Sequence, residues 1–268
     1  MSCSAIIVNY NTGKMLRKVV DAALANRDIE KIVVVDNNSQ DESMKGIRTS
    51  KRLIKKYREE NHGFGSSCNY GAKFVESKYL LFLNPDCIVE KDSIKVLKNN
   101  LEQDSNIAII GCRVNNPDGT EQRASRRRLP TLWRALKTFS KLENLAKYYS
   151  GFAGVNLNHS VIGKSIQKVE AISGALIMIR SSAFKQIKGF DEKFPLHFED
   201  LDLFKRTLDC GYDILINQAV TVVHYQGISS QSNPRVAMYK KRGLERYFSK
   251  HCSFLAYHIV KILNKIRK

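Results

Sequence analysis

Two segments of this chain, 32–36 (IVVVD) and 79–86 (YLLFLNPD), are apolar along almost their whole length and end in an acid. A strand with one wet face alternates apolar and polar residues, so strands apolar on both faces must be covered on both, as in a parallel sheet between layers of helices. The surrounding sequence fits that requirement. Short β-branched runs at 6–8, 32–35 and 79–83 alternate with helical spacing at 15–24, 66–75 and 93–101. This βαβ pattern predicts an α/β fold with a mostly parallel central sheet flanked by helices. In such sheets ligands gather at the carboxyl ends of the strands, which is where both acids fall.

At 268 residues the chain suits one large domain with a tail. We read one domain over 1–233, split near residue 114, followed by a basic amphipathic helical segment over 234–268. Past residue 114 the pattern weakens into a turn cluster (NNPDGTEQ), a basic loop (RASRRRLP) and a basic amphipathic helix expected over 133–149. Order returns with a strand over 175–180, a helix over 200–208 and a strand over 219–223 that ends at His224. The net charge of +18 is a field that attracts nucleic acid, anionic lipid or phosphorylated ligands. Ten lysines and arginines against Glu245 alone lie in the last 35 residues. A nucleic-acid-binding protein is therefore the main reading from another class, although no recognised nucleic-acid motif is present. The six cysteines have neither CxxC nor metal-finger spacing and read as buried or incidental thiols of a reducing compartment. No export signal precedes the first strand, and the apolar run at 253–263 is too short to span a bilayer.

Five constellations could carry chemistry. In VVVDNNSQDES, Asp36 and Asn38 stand at a strand end, where a carboxylate can accept from a ribose or a pyrimidine imide; the same residues also make a turn and helix cap. NHGFGSSCNYG places Asn61, two glycines and Asn69 around a helix start, a surface open to a diphosphate. LFLNPDC ends in Asn84 and Asp86, and a hard oxygen ligand there suits Mg2+ or Mn2+. FPLHFEDLDLFKR crowds Glu199, Asp200 and Asp202 at a helix opening, where mutual repulsion could raise one carboxyl into the range of a general base; they also complement the helix dipole. His224 closes an apolar strand and gains weight only in company with the others.

In this order the segments resemble glycosyltransferase family 2, inverting transferases with a GT-A fold, over residues 5–251. The resemblance implies that Val8 and Asn9 (in IIVNYN) and Asp36 serve the base or ribose, with Asn38, Asn61, Asn69 and Asn84 on the nucleotide side. It implies that Asp86 matches the last carboxylate of the family's DXD metal motif, whose first acid is replaced here by Asn84, and that His224 completes the metal site. Ser173 and Gly174, in SGALIMIR, would line the sugar and acceptor pocket. Asp200 would be the catalytic base, supported by Glu199 and Asp202. Within the family, LLFLNPDC, PDGTEQRASRRRLPT, HFEDLDLFKR and YFSKH look most like rhamnosyltransferases.

That resemblance implies a dTDP or UDP sugar donor, dTDP-rhamnose first, and a hydroxyl acceptor on a cell-surface glycan or lipid-linked glycan of polysaccharide, lipopolysaccharide or cell-wall synthesis. Another UDP or dTDP hexose and a sugar-nucleotide module without catalysis are the neighbouring alternatives. The expected place is cytoplasmic, peripheral on the inner face of the membrane, with Phe254, Leu255, Ile259, Val260 and Leu263 offering an apolar face to anionic lipid.

Overall fold

Strand β1 (Cys3–Asn9) pairs in parallel with β2 (Lys31–Asp36) and with β4 (Tyr79–Leu83), so that Asn9 stands beside Asp36 at one rim. These pairings belong to a computed structural model that describes residues 2–122, 124–140, 155, 165–225 and 234–266. The remaining order runs from β3 (Leu53–Tyr57) through β2, β1 and β4 to β10 (Leu176–Arg180), β6 (Ile107–Asn115), β11 (Asp213–His224) and β5 (Cys87–Val89). Strand β8 (Ile166–Lys168) pairs with β11 off this path. Only β10 opposes its neighbours within the centre, β5 and β8 doing so at β11. The sheet is thus mostly parallel, and one rim carries the carboxyl ends of β2, β1, β4, β6 and β11 together with the start of β10.

The apolar strands are buried throughout, as their composition requires. Successive side chains alternate faces. Ala5 and Ile7 pack under α1 (Met15–Ala25) and α3 (Ser93–Glu102). Ile6 and Val8 face the opposite layer, which holds α2 (Phe64–Ala72), α5 (Ser181–Gln186) and α6 (Glu199–Asp209). Cys3, Cys68, Cys87 and Cys112 lie in these layers as free thiols, and burial pushes Cys3 and Cys112 up to about 12, which keeps them protonated.

Three features differ from the sequence pattern. Strand β6 was hidden by its glycine and Arg113, and β11 begins at Asp213 instead of residue 219. Helix α4 covers Leu132–Phe139, and residues 141–149 of the helix expected there lie outside the described residues. The C-terminal segment is two helices, α7 (Pro234–His251) and α8 (Phe254–Ile266), separated where the Ser253 carbonyl and hydroxyl accept from Tyr257 and Ala256.

Nor is that segment a loose tail. Tyr247, Phe248, Ala256 and Val260 are buried in the α6 layer. Val260 therefore does not belong to an outward apolar face. The outward residues are Leu255, Ile259, Ile262 and Ile266, spaced four, three and four apart on one stripe.

Candidate active site

The strand ends and the first turn of α6 bring four groups together: Asp36, Asp86, His224 and Asp200. At β1 and β2, the Asn9 amide donates to Asp36 Oδ1 at 2.7 Å and to the Ser43 hydroxyl at 2.8 Å, while the Ser39 amide donates to Asp36 Oδ2. Each carboxylate oxygen keeps a further lone-pair site. Val8 is buried beneath α2, so it supports Asn9 from the core. Asn38 holds a left-handed φ of 64° at the turn beyond Asp36. Asn61 accepts from Asn37 at 2.7 Å and from the Gly63 amide, which fastens the loop before α2 to the end of β2. Asn69 stands apart from them. Its amide accepts from the Phe190 N–H and donates to the Phe190 carbonyl and to Glu192, so its visible task is to tie α2 to the 190–192 turn.

Beside them, β5 pairs with β11 in a register that sets Cys87 opposite His224, and so delivers Asp86 to the imidazole. His224 Nε2 is 3.0 Å from Asp86 Oδ1 and 3.2 Å from the Asn84 amide nitrogen. Gln122 fixes the ring. Its Nε2 donates to the His224 carbonyl at 2.7 Å, which leaves Oε1 as the atom facing His224 Nδ1 at 3.0 Å and accepting its proton. With that proton on Nδ1, Nε2 is the atom turned toward Asp86, and in the tautomer without a second proton it presents a lone pair. A lone pair so close to a carboxylate oxygen repels it unless a proton or cation lies with them. Adjacent donors around an octahedral ion with ligands at about 2.1 Å stand about 3 Å apart, so the pair fits a divalent cation. Among the described residues no third His, Cys, Asp or Glu joins them. Two protein ligands suit Mg2+ or Mn2+, which keep waters and substrate phosphates as their remaining ligands.

The fourth group is Asp200, in the first turn of α6. Its position follows from an unusual backbone: His197 and Phe198 have successive left-handed φ values of 65° and 70°, a costly conformation that clusters at functional sites. The bulge is admitted by Gly243 of α7, where a Cβ would stand 2.6 Å from the His197 carbonyl oxygen. On its far side Asp200 packs on Gly174, where a Cβ would stand 2.9 Å from the carboxylate. Ser173, buried one residue earlier, accepts from the Ala175 amide and shapes this segment. The Ala175 carbonyl in turn accepts from the Asn84 amide at 2.9 Å. A continuous line of contacts, Asp86 and His224 to Asn84 to Gly174 and Ala175 to Asp200, therefore joins the cation-binding pair to the acid.

Glu199 and Asp200 have opposite environments. Glu199 is buried with one oxygen unpartnered, and burial together with the charge of Asp200 pushes its carboxyl well above the usual range. Asp200 instead receives the Arg127 guanidinium and the Leu201 amide. Of the two neighbouring carboxyls, Asp200 is the one bonded to a cation. Asp202 does not join them. Two residues along a helix is a turn of about 200°, so it points away, where His251, Lys250 and Arg206 hold it. The supporting role expected for Asp202 is thus corrected: it anchors α7 to α6.

Three residues at the site escaped the sequence pattern. Gln122 sat in a segment read as a turn, Arg127 in a segment read as a basic loop, and His197 was passed over beside the acids. Burial, followed by the charge of Lys240, brings His197 down to about 4, so its ring is neutral. The loop itself resolves into separate ion pairs, Arg126 with Glu121, Arg127 with Asp200 and Arg134 with Glu170.

Similarity to known proteins agrees with this geometry. A hexosyltransferase of low-salt glycan biosynthesis from Haloferax volcanii is 25% identical over 231 residues, 84% of this chain and 67% of that protein. The rhamnosyltransferase WbbL of Escherichia coli is 24% identical over 82% of each chain. An N-acetylglucosaminyl-diphospho-decaprenol L-rhamnosyltransferase of Mycobacterium tuberculosis is 23% identical over 85% of this chain and 78% of its own. Among solved structures, GalNAc-T7 with UDP, GalNAc and Mn2+ superposes with a TM-score of 0.63 at 16% identity. It covers 99% of this chain, which spans about half of it (54%). A mannosyltransferase of Pyrobaculum calidifontis in complex with GDP-Man and Mn2+ has the same score at 14% identity, over 97% of this chain and 69% of its own. The fold is thus of the GT-A type. Residues 4–159, more than half of the chain, match the family described as glycosyl transferase family 2, and the chain belongs to that family.

Proposed function

We propose that this chain is an inverting glycosyltransferase that moves a sugar, rhamnose from dTDP-rhamnose as first choice, from a nucleotide diphosphate to a hydroxyl of a cell-surface glycan or lipid-linked acceptor. The observation that carries the proposal is the line of contacts from Asp86 and His224 through Asn84 and Gly174 to Asp200. In this reading Asn9, Asp36, Asn38 and Asn61 receive the nucleoside, and Ser173 and Gly174 border the sugar and acceptor. Residues 1–114 supply most of the donor side and 115–233 the acceptor side, with 234–268 appended. Asp86 and His224 would hold Mg2+ or Mn2+, whose charge offsets that of a departing diphosphate. Because that leaving group departs as a stable anion, no acid carboxylate is needed on its side. Asp200 takes the proton of the acceptor hydroxyl as that oxygen bonds to the anomeric carbon. The bond from that carbon to the diphosphate breaks on the opposite face, and the diphosphate leaves with the electron pair.

The rhamnosyltransferases among the relatives support the donor, and the diphospho-decaprenol in one relative's name supports a lipid-linked acceptor. Against nucleic acid, the arginines at 126, 127 and 134 are each matched by an acid, as are Arg246 and Lys250 by Asp191. Thermal unfolding with a panel of nucleotide sugars and Mn2+, beside oligonucleotides, tests the proposal. Stabilisation by a dTDP or UDP sugar is expected, at about 2.7 kcal/mol when ligand is at a hundredfold its Kd. Stabilisation by oligonucleotides alone would contradict it.

We also place the chain at the cytoplasmic membrane surface. Among the described residues no helix is long and apolar enough to cross a membrane. The most exposed large apolar side chains nevertheless sit on α8 and on α4, which packs against it: Phe254 (80%), Ile266 (72%), Leu255 (67%) and Trp133 (65%). On α8 the stripe lies beside Lys261 and Lys265, the arrangement of a helix resting in an anionic interface. Flotation with anionic liposomes should recover the native chain and lose it on Leu255→Glu with Ile262→Glu. Equal flotation of both would remove the membrane from the account.

A further inference from the structure

We infer that Arg127 is a positioning residue for the transfer, acting through Asp200; the inference rests on the base role proposed for that residue. Arg127 lies on the two-residue strand β7 (Arg126–Arg127), which pairs antiparallel with β9 (Ala171–Ile172). Alternation along the strand turns Arg126 to Glu121 and Arg127 the other way, into the site. There its guanidinium is fixed from behind. Nε and Nη2 donate to the Ile172 carbonyl at 3.1 and 2.7 Å, and Nη2 also donates to Asp200 Oδ2.

The consequences follow from what a carboxylate base needs. It must be aimed, and it must be the ionised member of any close pair. Arg127 on Oδ2 and the Leu201 amide on Oδ1 (2.8 Å) set the plane of the carboxylate, while Gly174 packs against it. Each oxygen retains one lone-pair site for an acceptor hydroxyl. Glu199 sits next in the chain with one buried oxygen unpartnered, so of the two carboxyls Asp200 is the one the guanidinium holds. Arg127 also joins Asp200 to the strand that leads into Ser173 and Gly174, so base and acceptor segment keep one spacing. A lysine supplies the charge but not the planar fork.

Steady-state kinetics of Arg127→Ala, Arg127→Lys, Asp200→Asn and the double variant Arg127→Ala with Asp200→Asn test the inference. Arg127→Ala should lower kcat by about 10²-fold, the scale of a misplaced reacting group, with donor affinity kept within about threefold. Arg127→Lys should fall between, and guanidinium chloride well below denaturing levels should restore part of the Arg127→Ala rate. The double variant should be no slower than Asp200→Asn alone, because both changes act on one group. An Arg127→Ala chain with native kcat, or effects that multiply in the double variant, would overturn the inference while leaving Asp200 in place. A fully active Asp200→Asn would remove the base reading itself. If Arg127→Ala unfolds, the Arg127→Lys rate and its donor affinity decide: native values for both would overturn the inference.

Discussion

Asp200→Asn is expected to lower turnover by about 10²- to 10⁴-fold, the contribution of a general base, while the donor still binds. Two features make this the most damaging conservative change in the site. The amide removes the carboxylate that, among the described residues, is in contact with both Arg127 and the Gly174 segment. Glu199 is no substitute, since burial, the larger cause of its raised carboxyl, persists when the Asp200 charge is removed, and its buried oxygen has no partner. Donor affinity measured by calorimetry should stay near native, because the groups assigned to the nucleoside and cation lie on β1, β2 and β11 and in the turns beyond β2 and β4. Loss of donor binding in parallel with turnover would mean that the substitution damages the fold or the donor side.

The second large effect concerns stability. Asp202→Ala should destabilise the chain by about 3 kcal/mol or more, because a wholly buried carboxylate leaves behind Arg206, Lys250 and His251 without their shared partner. For a chain of this size that is a fall in Tm of roughly 6–12 °C. Burial by itself would raise the Asp202 carboxyl, but hydrogen bonds from His251 and Lys250 and the charge of Arg206 outweigh it and hold it below the usual carboxylate range. Asp191 is depressed in the same way by Lys250 and Arg246. A carboxylate with a depressed folded-state value adds stability that is present above its unfolded value, near 4, and is lost as pH falls through the folded one. The native chain should therefore loosen α7 and α8 below about pH 4, and Asp202→Ala should show a smaller loss over that range. Thermal melts at pH 7 and pH 3 check both statements. An Asp202→Ala chain with native Tm at pH 7 would show that α7 is held without this anchor.

What the sequence disclosed was what is local. Strands apolar on both faces admit few environments, so the sheet, its helix layers and the Asp36 and Asp86 strand ends were legible. That acids open α6 was legible because FED begins an amphipathic helix, while the choice of Asp200 among them came from the resemblance to the family. Asp202 was grouped with it wrongly because closeness in sequence is not closeness around a helix, where two residues turn the side chain to the opposite face. Gln122 and Arg127 lie in irregular segments between residues 115 and 131, whose partners His224 and Asp200 are 102 and 73 residues away. No periodicity encodes such a meeting, which the sheet order alone creates. The break between α7 and α8 was hidden because the helical apolar spacing runs on through Ser253, although that serine is a good N-cap. The basic tail likewise looked like free charge, while Arg246 and Lys250 in fact serve Asp191 and Asp202.

The central claim is that one rim of the sheet holds a nucleotide diphosphate and its cation next to Asp200. Anomalous diffraction from crystals grown with Mn2+ and dTDP measures it directly. The account predicts one manganese peak bonded to Asp86 and His224 Nε2, with the diphosphate on the ion and the nucleoside beside Asp36. Manganese bound away from both residues, or dTDP bound at another edge of the sheet, would contradict it.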